Sequence, residues 1–167
     1  MRLLDQGWFF LSNAPNVICS RTINGSYPAF ASWAKFATTT GGAAFHVINF
    51  HFESKNRSNR IKSVTLVADR IAPRIAAGTS AISFCDINIL AGSQTAQILG
   101  QTKVRFLPVA GATFYPNHWI NLFGAIGQIS RADPPRALGD PVVLRQRFLG
   151  LRPSDDSPVL ADILMTD

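Results

Sequence analysis

The chain is poor in charged side chains. Asp, Glu, Lys and Arg together make up 16% of its 167 residues, while apolar residues make up 47%; ordinary soluble domains carry about 25% charged residues. So few charges leave apolar surface uncovered on an isolated domain, and the centres of protein interfaces show the same depletion. The composition therefore predicts self-association or assembly with other structural subunits.

Cysteine is scarce as well, and long apolar runs are missing. Cys19 and Cys85 are the only cysteines, and their spacing fits neither a zinc ribbon nor a disulfide framework, so we expect two buried free thiols. No segment approaches the roughly 18 uninterrupted apolar residues of a membrane helix, and no clean signal-peptide cleavage site follows the N-terminus. We expect no membrane partner, and a location in a virion, another extracellular assembly or a soluble compartment.

The familiar catalytic signatures are missing too. The sequence contains no G-x-S-x-G, G-x-x-x-x-G-K-[ST], G-x-G-x-x-G or H-E-x-x-H motif. Cys85 and Asp86 could form a nucleophile and its partner, but a thiol in an apolar strand is expected to be inert. Four aspartates stand beside Pro, Gly or Ser, where turn capping is the expected role: Asp133, Asp140, Asp155 and Asp156. The sequence predicts a protein that is not an enzyme and that needs no metal or other cofactor.

What the chain does have is alternation with a period of two. In AFHVINFHFE, His46 and Phe50 share one face of a strand and His51 lies on the other. Two histidines on opposite faces cannot ligate one metal ion. The polar stretch SKNRSN and the alternating run RIKSVTLVADRI then predict a hairpin that pairs residues 45–53 with residues 61–69.

Further strand candidates follow, separated by Gly, Pro, Asn and Asp: ILGQTKVRFLPV, TFYPNHWINLFGAIGQI and PVVLRQRFLGLRP. SAISFCDINIL is apolar on both faces, which predicts a central strand, and VLADILMT predicts a last strand or a short helical turn. Short strands with turn signals between them are typical of an all-β protein. The sequence predicts one domain, an antiparallel, jelly-roll-like β-sandwich over residues 46–167. Residues 1–45 are less regular, with a short helix at SWAKFA, and would form an N-terminal arm packed on the core or on a neighbouring subunit.

Basic residues outnumber acidic ones by 16 to 10. Four of them follow the first alternating strand and could neutralise phosphates: Lys55, Arg57, Arg60 and Lys62. The aromatic residues of that strand alternate into the core, however, and leave no platform on which bases could stack. We expect a solvated loop or an arginine-mediated protein contact there, and nucleic acid is the less favoured partner.

Two hypotheses of function remain. The first is a non-enzymatic structural or assembly subunit, in its most concrete form a viral or phage virion component such as a capsid, decoration or tail protein. Its expected subunit contacts are aromatic residues near the N-terminus and two arginines of the basic turn: Trp8, Phe9, Phe10, Arg57 and Arg60. The alternative is a carbohydrate-binding module with a glycan platform of Trp33, Tyr115, Asn117, His118 and Trp119.

Overall fold

The computed structural model describes residues 1–21, 25, 27–39, 44–76, 80–86, 88, 94, 97–98, 104–106, 128–132, 136–137, 139–140, 142–144, 146–147, 149–151 and 159–164. The elements in this part of the chain are, in order, β1 (Arg2–Phe10), β2 (Phe30–Ala37), β3 (Ala44–His51), α1 (Arg57–Ala76), β4 (Ser80–Asp86), β5 (Val104–Phe106), β6 (Gln128–Ala132), β7 (Arg136–Ala137), β8 (Val142–Val143), β9 (Val159–Leu160) and β10 (Ile163–Leu164).

Six of these strands form one mixed sheet in the order β1-β2-β3-β4-β6-β5. The strands β1, β2 and β3 are antiparallel neighbours, whereas β4 runs parallel to β3. Parallel neighbours need a crossover connection, and α1 supplies it here. The carboxyl ends of β3 and β4 therefore lie side by side, with His51 opposite Asp86.

The helix α1 covers one face of this sheet, which we call the helix face. Val64, Val67 and Ile71 recur at helical spacing and are buried against strand residues that include Ile48 and Phe50. The helix begins where the Asn56 side-chain oxygen accepts the Asn59 backbone N–H at 3.1 Å, which is an N-cap contact. Burying these apolar side chains removes the core from water and holds the helix on the sheet.

The predicted hairpin is therefore wrong in its second half. Val64 and Leu66 fit a period of two, but the same run also fits a helix, and a short apolar window does not distinguish the two periods. The helix wins because its spacing buries Val67 and Ile71, both 2% exposed or less, and leaves Leu66 only half-buried. The first half is confirmed as β3, with His46 facing the helix and His51 on the opposite face.

The predicted jelly roll with an irregular N-terminal arm is also wrong. Residues of SWAKFA form β2 rather than a helix, and β1 pairs with β2 along its length. Close packing explains the pairing: the Trp33 indole lies so near Gly7 that a Cβ there would come within 2.8 Å of the ring. The chain is an α/β protein, because a helical crossover joins two parallel strands of one sheet.

The other sheet face, which we call the open face, is partly uncovered. Its aromatic side chains include Trp8, Phe30 and Phe84, which are 49%, 53% and 46% exposed. At one end of this face Phe45 and Ile82 are buried, with residues of the segment after β8 packed against them: Val159 and Ala161. The helix face thus holds the main core, and the open face keeps exposed apolar surface.

The two cysteines are free, as expected, but they are not both buried. Cys19 is exposed in the loop after β1, and Cys85 is partly buried in β4. In the described part of the chain, no helix has both the length and the hydrophobicity needed to span a membrane.

Candidate active site

Polar side chains meet where β3 and β4 end. His51 is the last residue of β3 and Asp86 the last of β4, and the His51 Nε2 atom lies 3.5 Å from Asp86 Oδ2. The Phe52 backbone N–H donates to the Asp86 carbonyl at 2.9 Å, which continues the strand pairing past His51. Backbone pairing therefore holds the imidazole and the carboxylate next to each other.

Asn88 fixes the orientation of the imidazole. Its Nδ2 amide donates one hydrogen bond to the Phe52 carbonyl at 2.8 Å and lies 2.9 Å from His51 Nε2. Because a carbonyl only accepts, the Phe52 contact establishes that the amide nitrogen, not the oxygen, faces His51. The Nε2 atom must then accept the second amide hydrogen, and the proton of the neutral ring resides on Nδ1.

The Asp86 carboxylate is oriented by its own loop. Its Oδ1 atom accepts the Asn88 backbone N–H at 2.9 Å, which leaves Oδ2 toward His51. Asn88 adopts a left-handed backbone conformation with φ of 48°, which asparagine tolerates better than most residues. This tight turn brings an acid and an amide two residues apart onto the same imidazole nitrogen.

The two partners of His51 suit different protonation states. A neutral ring accepts from Asn88 at Nε2, whereas a ring protonated at Nε2 repels the amide hydrogen and attracts the Asp86 carboxylate. The cluster can therefore take up a proton at Nε2 and stabilise it there. The His51 side chain is 55% exposed, so a solvent molecule or substrate can reach it.

Two further side chains border this cluster. The Tyr27 ring meets the His51 ring edge-on, with centroids 6.2 Å apart. Burial raises the pKa of the Tyr27 phenol above its ordinary value of 10.0, and the carboxylates of Glu53 and Asp86 raise it further. Tyr27 therefore stays a neutral hydrogen-bond donor at physiological pH.

Glu53 is buried, at 6% exposed, directly after β3. Its carboxylate accepts the Lys55 backbone N–H at 3.2 Å, and its backbone carbonyl accepts from the Arg60 guanidinium at 3.0 Å. The same guanidinium nitrogen of Arg60 donates to the Ser54 carbonyl at 2.8 Å. Arg60 thus ties the loop after β3 to the first turn of α1.

The predicted contact and platform residues are scattered. Phe9 is buried in the core, Trp8 and Phe10 form an edge-on pair at 5.6 Å on the open face, and Arg57 donates to Gln94 at 3.1 Å. Trp33 lies on the helix face, away from His51. The remaining platform residues lie outside the described residues: Tyr115, Asn117, His118 and Trp119. None of these predictions is tested by the structure.

Sequence reasoning missed the pairing of His51 with Asp86 and Asn88. The signal was present, because polar residues follow two apolar β-runs, in NFHFE and in CDIN. The carboxyl ends of adjacent parallel strands are where open α/β sheets bind ligands. Asp86 is not the partner of Cys85, because the two side chains point to opposite faces of the sheet. Cys85 stands opposite Phe50, and Asp86 stands opposite His51.

The described residues include no group of three or more His, Cys, Asp or Glu side chains arranged to hold a metal ion. The carboxylates of Asp86 and Glu53 are suitable oxygen donors, but the described contacts do not assemble them into a ligand set.

The architecture resembles that of solved phosphatases and nucleases. A mannosyl-6-phosphatase of Bacteroides thetaiotaomicron superposes with a TM-score of 0.80 at 21% identity, over 98% of this chain and 67% of that protein. An endonuclease/exonuclease/phosphatase of Bacteroides vulgatus gives 0.82 at 20% identity, over 99% and 66%. The fold is that of the endonuclease/exonuclease/phosphatase proteins. D. rerio TDP2, complexed with a single-strand DNA product, gives 0.70 at 14% identity, over 98% and 68%.

This chain spans about two thirds of the length of these endonuclease/exonuclease/phosphatase-like structures. No family model matches its sequence, and no curated protein matches it either. At such low identity the structural likeness establishes the fold.

The prediction of a non-enzymatic virion subunit is wrong, and so is the carbohydrate-binding alternative. Both rested on a β-sandwich, whereas the chain has an α/β fold that it shares with a named phosphatase. The expectation that the chain is not an enzyme fails for the same reason. It relied on missing linear motifs, but the cluster at the ends of β3 and β4 is assembled from residues far apart in sequence.

Proposed function

We propose that the chain belongs to a hydrolase that cleaves phosphate esters, with His51, Asp86 and Asn88 at the reacting centre. The observation that carries the proposal is the solvent-accessible imidazole held between a carboxylate and an amide at the ends of two parallel strands. Solved proteins of the same fold include a mannosyl-6-phosphatase and a protein bound to a DNA product, which supports phosphate esters as the substrate class.

The chemistry needs a proton acceptor beside the attacking water. The Asn88 amide first releases Nε2; His51 Nε2 then takes a proton from water as the water oxygen bonds to phosphorus, and Asp86 stabilises the imidazolium that results. The bond between phosphorus and the ester oxygen breaks, and the leaving alkoxide takes up the proton. The products are an alcohol and a phosphate with one fewer ester bond, so one water is consumed for each bond cleaved.

The neighbouring charges suit an anionic substrate. Lys55 and Arg57 follow the site, and the first turn of α1 carries no acidic side chain, although acids are favoured at that position. A positive loop and a helix N-terminus that follow β3 directly in the chain lower the cost of bringing a phosphate group toward the carboxylates of Glu53 and Asp86.

The proposal is tested by assaying hydrolysis of p-nitrophenyl phosphate and of bis-p-nitrophenyl phosphate by the purified chain in a buffer with Mg²⁺. Release of p-nitrophenol from the first marks a monoesterase and from the second a diesterase. We expect His51→Ala to lower the rate by about 10²-fold or more, as for the loss of a general base, and Asp86→Asn to lower it as well.

His46→Gln is the matched control, because His46 lies on the other face of the same strand. We expect its rate to stay within about threefold of the unsubstituted chain, since it does not touch the reacting centre. Hydrolysis of neither ester, or equal rates for His51→Ala and the unsubstituted chain, would disprove the assignment.

A further inference from the structure

A second positively charged site lies on the helix face of the sheet, whereas His51 lies on the opposite face. Arg70 and Arg74 are one helical turn apart near the end of α1, so their side chains are neighbours. Both line a cavity of about 190 Å³ between the helix and the strands β1, β2 and β3, with Trp33 and Phe9 in its wall. Drug-sized ligands occupy roughly 300–1,000 Å³, so this volume suits a small group.

Both guanidinium groups lie over aromatic rings, and that of Arg74 is the more closely stacked. The Arg74 guanidinium carbon lies 3.5 Å above the centre of the Trp33 ring, and that of Arg70 lies 5.4 Å from the centre of the Phe9 ring. The Trp33 ring in turn rests directly on Gly7, where any larger residue would collide with it. A guanidinium stacked by its face keeps its N–H groups around the edge, where they can form paired bonds to an oxyanion.

Neither guanidinium is neutralised by the described residues. The described contacts of Arg70 and Arg74 include no carboxylate. Besides its contact with the Phe9 ring, Arg70 donates a 3.4 Å hydrogen bond to the Asn16 side-chain oxygen. Burial lowers the pKa of His46, the charges of Arg74 and Lys35 lower it further, and the Asp5 carboxylate opposes these two cations.

The position of Arg74 also suits the negative end of the helix dipole, which favours a cation in the last turn. That explains a positive charge at Arg74 on its own. The helix dipole does not explain why the Arg70 guanidinium, one turn earlier, lines the same cavity. It also does not explain why both guanidinium groups lie over aromatic rings. The shared cavity and the fixed orientation are features of a site that receives a ligand.

We propose that Arg70 and Arg74 bind a phosphate group in this cavity, as a free ion or as the end of a phosphate monoester. The site is separate from the candidate active site. Its β3 lining residue, Ile48, is three strand residues from His51, or about 10 Å, and the two side chains lie on opposite faces of the sheet. The proposal therefore does not depend on the proposed function.

The test is a titration of ¹⁵N-labelled chain with inorganic phosphate at low ionic strength, followed by the indole N–H signal of Trp33. We expect a saturable shift. In the double variant Arg70→Gln/Arg74→Gln we expect the apparent Kd to rise at least tenfold. Arg74→Lys keeps the charge but loses the planar fork, so we expect an intermediate Kd. A parallel titration with methyl phosphate, which has one ester substituent, separates a free-ion site from one that accepts monoesters.

The control double variant Lys62→Gln/Arg147→Gln removes the same charge from two exposed positions elsewhere. We expect its Kd to stay within twofold of the unsubstituted chain, and likewise that of His51→Ala. Circular dichroism establishes that each variant is folded, and Arg74→Lys serves as the readout if the double glutamine variant is not. Equal weakening in both double variants, loss of the Trp33 shift in His51→Ala, or no saturable shift would each overturn the proposal.

Discussion

Single residues decide what the ends of β3 and β4 can do. His51 and Asp86 end two neighbouring strands and Asn88 lies just beyond the second, and contacts between 2.8 and 3.5 Å bring the three together. The amide contact sets the tautomer of the neutral ring, and in the proposed reaction the imidazole accepts the proton while the carboxylate lies beside it. Histidine suits this task because it takes up and releases protons in the physiological range.

The second histidine of the same strand behaves differently. His46 is 4% exposed, its Nδ1 atom has no hydrogen-bond partner in the described part of the chain, and it packs near Trp33 at a centroid distance of 6.3 Å. Burial lowers the pKa of His46 below its ordinary value of 6.5. The folded protein therefore favours the neutral ring.

A pH-dependent stability follows from His46. Between its lowered folded pKa and the unfolded value near 6.5, the unfolded chain binds more protons at this position than the folded chain does. The contribution of His46 to stability is therefore complete above pH 6.5 and is lost as the pH falls toward the folded pKa. We expect His46→Gln to lose less stability than the unsubstituted chain between pH 7.5 and pH 5.5, measured by urea denaturation. Identical losses in both proteins would refute this.

At the scale of elements, α1 does two things. It covers the helix face of the sheet, and as a crossover it makes β4 run parallel to β3. An antiparallel hairpin would have placed the end of β3 at the turn, far from the end of a later strand. The helix therefore creates the site that the hairpin prediction excluded.

Core packing distinguishes the helix from a strand at residues 61–69 and beyond. Ile71 lies on the buried side of α1 and is 2% exposed, so we expect Ile71→Ala to lower the free energy of unfolding by about 2–5 kcal/mol. Lys62→Ala, on the exposed side of the same helix, should stay within about 0.5 kcal/mol. Chemical denaturation of the two variants measures both values. A loss for Ile71→Ala no larger than that for Lys62→Ala would contradict the observed packing.

At the scale of the whole molecule, the low charge content of the chain agrees with the exposed apolar surface of the open face. Trp8, Phe30 and Phe84 stand exposed on one sheet face, in a chain with 16% charged residues. Exposed apolar patches of this kind mark interaction surfaces. Self-association stays a prediction, and we propose the open face, rather than a packed N-terminal arm, as its surface.

We expect Trp8→Lys/Phe30→Lys to shift the chain toward the monomer in sedimentation equilibrium, because two charges at the centre of an apolar contact are costly to bury. Leu149→Lys/Leu151→Lys is the matched control, since these leucines are 88% and 73% exposed and belong to none of the strands β1 to β10. Its mass should equal that of the unsubstituted chain. A monomer at every concentration before substitution would sink the prediction.

The sequence by itself determined the local features of this protein. The period of two in β3 puts His46 and His51 on opposite faces, and the apolar run of β4 marks a central strand. Both follow from backbone geometry within one strand, which requires no knowledge of the neighbours.

Only the tertiary structure decided which elements are neighbours. The run after residue 57 fits two periods, and burial against Phe50 and Ile48 selects the helix. Because the connection is a helix and not a hairpin turn, β4 runs parallel to β3, and Asp86 lies beside His51. His51 and Asp86 are 35 positions apart in the sequence, so their contact is non-local. They meet only once the crossover helix lies against the sheet. The distances within the site therefore depend on how the chain packs.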